Sequence, residues 1–188
     1  YQVLVDLYND STVRGDSGSQ EEIITAMGQR NISQTGQFFQ QILKENEANP
    51  DLRLATAEAL EWAEGDVSPF LINMLHDENS EIRAAAAWTL AAREEPGNVS
   101  QEIQAILVTE TDPQVRMRLY QAMSNQENVN IDALAPAIMN EPDPGTRAAG
   151  YDLLAANIGS SENADLKMRF DKLIVPQLKE TALTAEQL

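Results

Sequence analysis

The chain has 188 residues, no cysteine, and 13 lysines and arginines against 30 aspartates and glutamates, for a formal net charge of −17. That balance argues against a nucleic-acid backbone or an anionic lipid surface as partner, since either needs a basic face to displace counterions, and the lack of cysteine excludes disulfides and thiolate zinc sites while fitting oxidising and reducing compartments alike. No apolar run approaches the roughly 20 residues that span a bilayer, so a soluble chain is expected, cytoplasmic or bacterial periplasmic, and a start at Tyr1 rather than methionine leaves a processed form or an excised piece in view.

In chain order, residues 1–8 read as a short helix from the spacing of Val3, Leu4 and Leu7, or as a strand from their valines. Residues 9–19 are rich in Asn, Asp, Ser and Gly and form a predicted loop, with Gly15 and Gly18 interrupting any helix. Ser19 and Glu22 have the spacing of a capping box, which opens a helix to about Arg30. A helix is predicted over 33–47, with Phe38, Phe39, Ile42 and Leu43 as its apolar stripe. Asn49-Pro50 stops it and starts the next, which carries Leu52, Leu54, Leu60 and Trp62 until Gly65 ends it. A second pair starts at Ser68-Pro69, turns at residues 77–79 and resumes to about Arg93. A third covers 98–109 and 113–125, and a fourth 131–140 and 144–158, where Pro136 predicts a kink or a late start. Residues 161–175 read as one more first helix, and the segment after Pro176 as its partner or a frayed end, so the array is expected to be incomplete.

The second helices share a register fixed by Arg53, Arg83, Arg116 and Arg147, spaced 30, 33 and 31 residues apart. Four residues before each stand Asn49, Asn79, Asp112 and Asp143, whose side chains accept from the free amides of a first helical turn. Pro50, Ser80, Pro113 and Pro144 follow, and proline at the first helical position sacrifices no hydrogen bond. Leu52, Ile82, Val115 and Thr146 precede the arginines, and Leu60, Leu90, Met123 and Leu154 come seven residues after them. Asp10, Val13 and Arg14 echo the pattern, which predicts a degenerate first repeat. Ala57, Ala84, Ala87, Ala148 and Gly150 are small enough for helices to approach closely. A period near thirty with its own helix start and apolar face predicts a helical solenoid, in which each pair is stabilised by its neighbours.

The turns NPDLR, NSEIR, DPQVR and DPGTR, each followed by a small-residue helix such as AAAAWTLA, resemble those of the HEAT-repeat family, especially its short bacterial versions. The resemblance implies an all-α superhelix of about five helical hairpins, the first and last degenerate: a cap over 1–32, repeats over 33–65, 66–95, 98–126 and 130–158, and a terminal repeat over 161–188. It also implies that Asn49, Asn79, Asp112 and Asp143 form a structural hydrogen-bond ladder between repeats with Arg53, Arg83, Arg116 and Arg147. The fourth copy departs from the pattern at Gly145, Thr146 and Gly150.

Two, five and nine residues after the arginines, one line of the second helices is predicted to point away from the core: Ala55, Glu58, Trp62; Ala85, Trp88, Ala92; Arg118, Gln121, Asn125; Ala149, Asp152, Ala156. The resemblance places this line on the concave side. Glu58, Trp62, Trp88, Arg118, Gln121 and Asp152 are therefore candidate partner-binding residues, because exposed aromatics beside a guanidinium anchor protein interfaces. The competing reading folds both rings down over the alanines.

Other chemistry is sparse. Asp10, Gly15 and Glu21 match positions of a calcium loop, but Arg14 stands where an oxygen ligand belongs. His76 is the single histidine, expected against last-turn carbonyls at a helix end. Asn31 and Asn98 head glycosylation triplets. No catalytic residue, cofactor or metal ligand set is expected. Two classes of function remain: a non-catalytic scaffold whose acidic wall takes a protein or peptide, one with basic residues, or an enzyme on similar repeats, as the resemblance to HEAT-like bilin lyase subunits and alkylpurine DNA glycosylases allows. A glycosylase would need Arg116, Arg118, Arg147 and the lysines of 167–179 to form an isolated basic strip.

Overall fold

The computed structural model describes residues 1–10, 12–45, 49–93, 99–124, 126 and 129–176, the side chains of 160 and 173 excepted. Among these are eleven α-helices: α1 (Gln2–Asn9), α2 (Ser17–Gly28), α3 (Ile32–Glu45), α4 (Pro50–Ala59), α5 (Ser68–Met74), α6 (Ser80–Ala92), α7 (Ser100–Leu107), α8 (Pro113–Ser124), α9 (Ile131–Met139), α10 (Pro144–Asn157) and α11 (Ala164–Arg169). The chain is an all-α solenoid. The even-numbered helices form a continuous second row, α2 against α4, α4 against α6, α6 against α8 and α8 against α10, and α1, α3, α5, α7 and α9 pack alongside α2, α4, α6, α8 and α10 as a first row. The single β-type contact among the described residues is an isolated bridge between Asn31 and Glu64, in which the Ile32 amide donates to the Glu64 carbonyl at 2.8 Å.

The second-row helices begin where cap chemistry allows. Asn49 accepts from the Asp51 and Leu52 amides, Asn79 from Glu81, Asp112 from Gln114 and Val115, and Asp143 from Thr146. The positions before and seven after each arginine form the core: Leu52, Ile82, Val115, Leu60, Leu90, Met123 and Leu154 are all fully buried. Thr146 is buried in the same register despite its hydroxyl, which donates to the Pro113 carbonyl of α8 at 2.8 Å. That bond makes the polar substitute tolerable in an apolar place. Gly150 answers a second departure of the fourth copy: a Cβ there would lie 2.6 Å from Ile138 Cγ2, so α9 sits where a side chain would otherwise be.

Several boundaries differ from the sequence reading. Of the residues read as helix or strand, Gln2 to Tyr8 are helical, with Tyr8 buried against the edge of Phe38 at 5.2 Å between ring centroids. Helix α2 starts at Ser17, not Ser19, and includes Gly18 in its first turn; the Ser19 hydroxyl donates to Asp16 instead of serving a capping box. Helix α4 ends at Ala59, so Leu60 and Trp62 lie in the turn beyond it, and Gly65, at φ +94°, closes that turn in a conformation side chains disfavour. Pro136 neither delays nor ends α9, which starts at Ile131 with Asn130 capping the Ala133 amide. The last first-row helix is shorter than 161–175: α11 gives way at Phe170 to a π-helical turn. Of the small residues assigned to close approach, Ala148 is exposed, and Gly28, not singled out, holds the tightest position. The segment after Pro176 lies outside the described residues.

At Gly28 a Cβ would collide with the main-chain carbonyl of Ala59, an atom that cannot turn aside, whereas at Gly18 it would meet only Asp16 Oδ1 at an ordinary 3.6 Å. Gly28→Ala is therefore expected to lower stability by about 2–3 kcal/mol, and Gly18→Ala to leave it unchanged or raise it by up to about 1 kcal/mol. Urea unfolding of the two variants checks the contrast.

Candidate interaction surface and the turns that hold it

Arg53, Arg83 and Arg116 reach forward to the next turn. Arg53 Nε and Nη2 donate to the two carboxylate oxygens of Asp77 at 2.8 and 3.0 Å. Arg83 does the same to Glu110, at 2.8 and 3.0 Å, and Arg116 to Glu141, at 2.9 and 2.7 Å. Such paired, charge-assisted bonds fix orientation as well as distance. The Nη1 of Arg83, Arg116 and Arg147 turns back to main-chain carbonyls of its own turn, including Asp77, Glu110 and Glu141 respectively. Each accepting carboxylate also takes an amide of its own turn: Asn79 at Asp77, Thr111 and Asp112 at Glu110, Asp143 at Glu141.

The ladder is thus built differently from the one the resemblance implied. Asn49, Asn79, Asp112 and Asp143 serve their own helices, and the cross-repeat acceptors are Asp77, Glu110 and Glu141, two residues upstream of the later caps. A signal existed, since these acids stand at a constant offset of six before Arg83, Arg116 and Arg147. Two further fasteners were missed. Arg93 donates to the Leu60, Glu61, Ala63 and Gly65 carbonyls, plugging the end of α4 from the end of α6. Buried Gln126 accepts the Val99 amide at 2.8 Å. Arg14 donates its amide to the Asp10 carbonyl as the four later arginines do to their caps, and its guanidinium meets Glu45 at 3.3 Å.

The Arg116 fork, the largest influence on Glu141, holds that carboxyl below its ordinary value of 4.5, against the upward push of burial. At Glu110 burial is the largest single influence and pushes upward, but the Arg83 fork and the Asp112 and Thr111 amides together outweigh it, leaving this carboxyl lowered too. Both arginines are raised, first by the same hydrogen bonds.

On the outward side of the second row, Trp62 is 67% and Trp88 46% exposed, so neither ring folds down over the alanines. The Arg118 guanidinium of α8 lies over the Trp88 ring of α6, 4.3 Å from its centroid, and its Nη1 donates to Gln121 Oε1 at 3.0 Å. Glu58 and Asp152 are exposed on α4 and α10. Ala149, expected on this line, is buried, and Asn125 lies outside the described residues.

The remaining candidates resolve as local structure. Residues 17–21 are the first turn of α2, so Glu21 is not in a loop with Asp10, whose carboxylate accepts the Thr12 amide and hydroxyl. The His76 ring is exposed beside a groove of about 800 Å³ between α3 and α5, and among the described residues it bonds no last-turn carbonyl. Asn31 Oδ1 accepts the Ser33 amide and hydroxyl at the start of α3, and Asn98 lies outside the described residues. Arg116 and Arg147 are engaged in turns, so they do not join Arg118 in a basic strip. No helix among the described residues is long and apolar enough to cross a membrane.

A family model for HEAT repeats matches residues 36–124. Comparison with curated proteins and with solved structures gives no match.

Arg116→Ala would leave the Glu141 carboxylate, whose side chain is 4% exposed, without its cation, and is expected to lower stability by about 3 kcal/mol. Because the folded-state carboxyl sits below its ordinary 4.5, its contribution is complete above that pH and is lost as pH falls through the lowered value. In urea titrations from about pH 6 to about pH 3, Glu141→Gln should flatten the acid loss of stability.

Proposed function

We propose that this chain, a HEAT-repeat protein over residues 36–124, is a non-catalytic scaffold that holds a protein or peptide partner along the outward side of its second-row helices. The repeats over 33–65, 66–95, 98–126 and 130–158 make one array, with 1–32 and 161–188 as its two ends, and the row α4, α6, α8, α10 is its working wall. HEAT repeats are compatible with such a duty. The observation that carries the reading is the pair of exposed indoles on adjacent repeats, Trp62 and Trp88, the second stacked under a guanidinium. Burying both rings against a partner removes a large apolar area from water and supplies the aromatic anchors that dominate interface energies.

The ladder explains why these side chains stand free for such work. It consumes Arg53, Arg83 and Arg116 inside the turns, so the chain's excess of acid is left outside them, and a net charge of −17 draws in a segment that carries basic residues.

Selection of random dodecamer peptides on the immobilised chain tests the reading. Enriched peptides are expected to carry net positive charge and at least one large apolar residue, and to bind at least tenfold more weakly to a Trp62→Ala/Trp88→Ala variant with an unchanged melting curve. Peptides that bind the variant as well as the parent would place the interface elsewhere.

A further inference from the structure

Three arginines of this molecule grip a carboxylate with the same edge of the guanidinium. Arg53, Arg83 and Arg116 each present Nε and Nη2 to the two oxygens of one acid. Arg118 is oriented by other means: its Nη1 is tied to Gln121 and its face rests on Trp88. Its Nε–Nη2 edge has no acceptor among the described residues. It is also the one arginine on α4, α6, α8 and α10 that, among the described residues, binds neither a carboxylate nor a main-chain carbonyl. In a chain with 30 acidic side chains, a half-buried guanidinium with that edge unused is a specific arrangement. Stacking on an indole leaves the in-plane donors of a guanidinium available, and a fork held by two supports loses little freedom when it binds.

We infer that Arg118 is the acid-reading anchor of the proposed interaction surface: the bound segment, otherwise basic and apolar, places one aspartate or glutamate side chain on the Nε–Nη2 edge. The assignment rests on the scaffold reading above and refines it. Along the second row the wall offers Glu58, then Trp62 and Trp88, then Arg118, then Asp152. The complementary segment is therefore basic, apolar, acidic and basic in turn. The Arg118 guanidinium lies 4.3 Å from the Trp88 ring centroid and an extended chain advances about 3.3 Å per residue, so the acid falls within about two residues of the apolar side chain seated at Trp88. A fixed acid within a basic segment also rejects uniformly basic chains, which would set a cation against Arg118.

Peptide selection on the parent and on Arg118→Glu decides the point. The parent is expected to enrich an aspartate or glutamate at a fixed distance from the apolar anchor, and Arg118→Glu to enrich lysine or arginine at the same place. A parent-selected peptide should bind Arg118→Glu at least tenfold more weakly, and exchange of its acid for lysine should restore binding to that variant. Arg118→Lys, which keeps the charge and loses the fork, should weaken the acid-bearing peptide about tenfold and leave peptides lacking the acid unaffected; it serves as the test should Arg118→Glu not fold. Peptides that depend on Trp62 and Trp88 but carry no fixed acid, or that bind parent and Arg118 variants alike, overturn the assignment and leave the scaffold intact. If no selected peptide depends on the tryptophans, both fall.

Discussion

The structure depends on a fork of two parallel hydrogen bonds between one repeat's arginine and the next repeat's carboxylate. Withdrawing two charges from water costs several kcal/mol per ion, and their attraction offsets that cost only where geometry is good and the remaining donors and acceptors are met. Both conditions hold in these turns. The carboxylate takes the guanidinium on one side and turn amides on the other, while Nη1 of Arg83 and Arg116 returns to carbonyls of its own turn. Among the described residues no buried side-chain nitrogen or oxygen is left without a partner. One interaction thus holds the turn together and ties each repeat to the next.

Around that polar seam the apolar packing is ordinary. Leu52, Leu60, Ile82, Leu90, Val115, Met123 and Leu154 fill one continuous core beneath the second row. Where the pattern lapses, the structure compensates locally, with a threonine hydroxyl bonded across to α8 and a glycine pressed on Ile138. Contacts between successive second-row helices make stability a sum of neighbour terms, so no single repeat owns the core.

Much of this was legible in the chain because the cues are local. An asparagine or aspartate followed by proline states where a helix begins, and a leucine seven residues beyond an arginine states which side is buried. The cross-repeat acids were not legible in the same way. Asp77, Glu110 and Glu141 are three carboxylates among thirty, and only their constant distance from the arginines marks them. Helix ends were missed where tertiary bonds decide them: α4 stops at Ala59 because the carbonyls beyond it turn to Arg93, and α2 starts early because Asp16 accepts the hydroxyl of Ser19. The tryptophans were undecided because exposure depends on what the neighbouring helix offers. Trp88 meets Arg118 there, a cation that covers one face of the ring and leaves nearly half of the residue in water.

The constant offset also says where the chain tolerates changes of length. From the ladder acid to its arginine the count is six in all three complete cases, whereas from an arginine to the acid it grips the count is 24, 27 and 25. The short interval is a rigid cassette, in which one inserted residue would swing cap, proline and guanidinium out of step together. The long interval is elastic, and it varies chiefly with how far the second-row helix runs past its arginine, to Ala59 in α4, Ala92 in α6 and Ser124 in α8. Changes of length belong within the long intervals, on the far side of the molecule's metronome from the turns that keep its time.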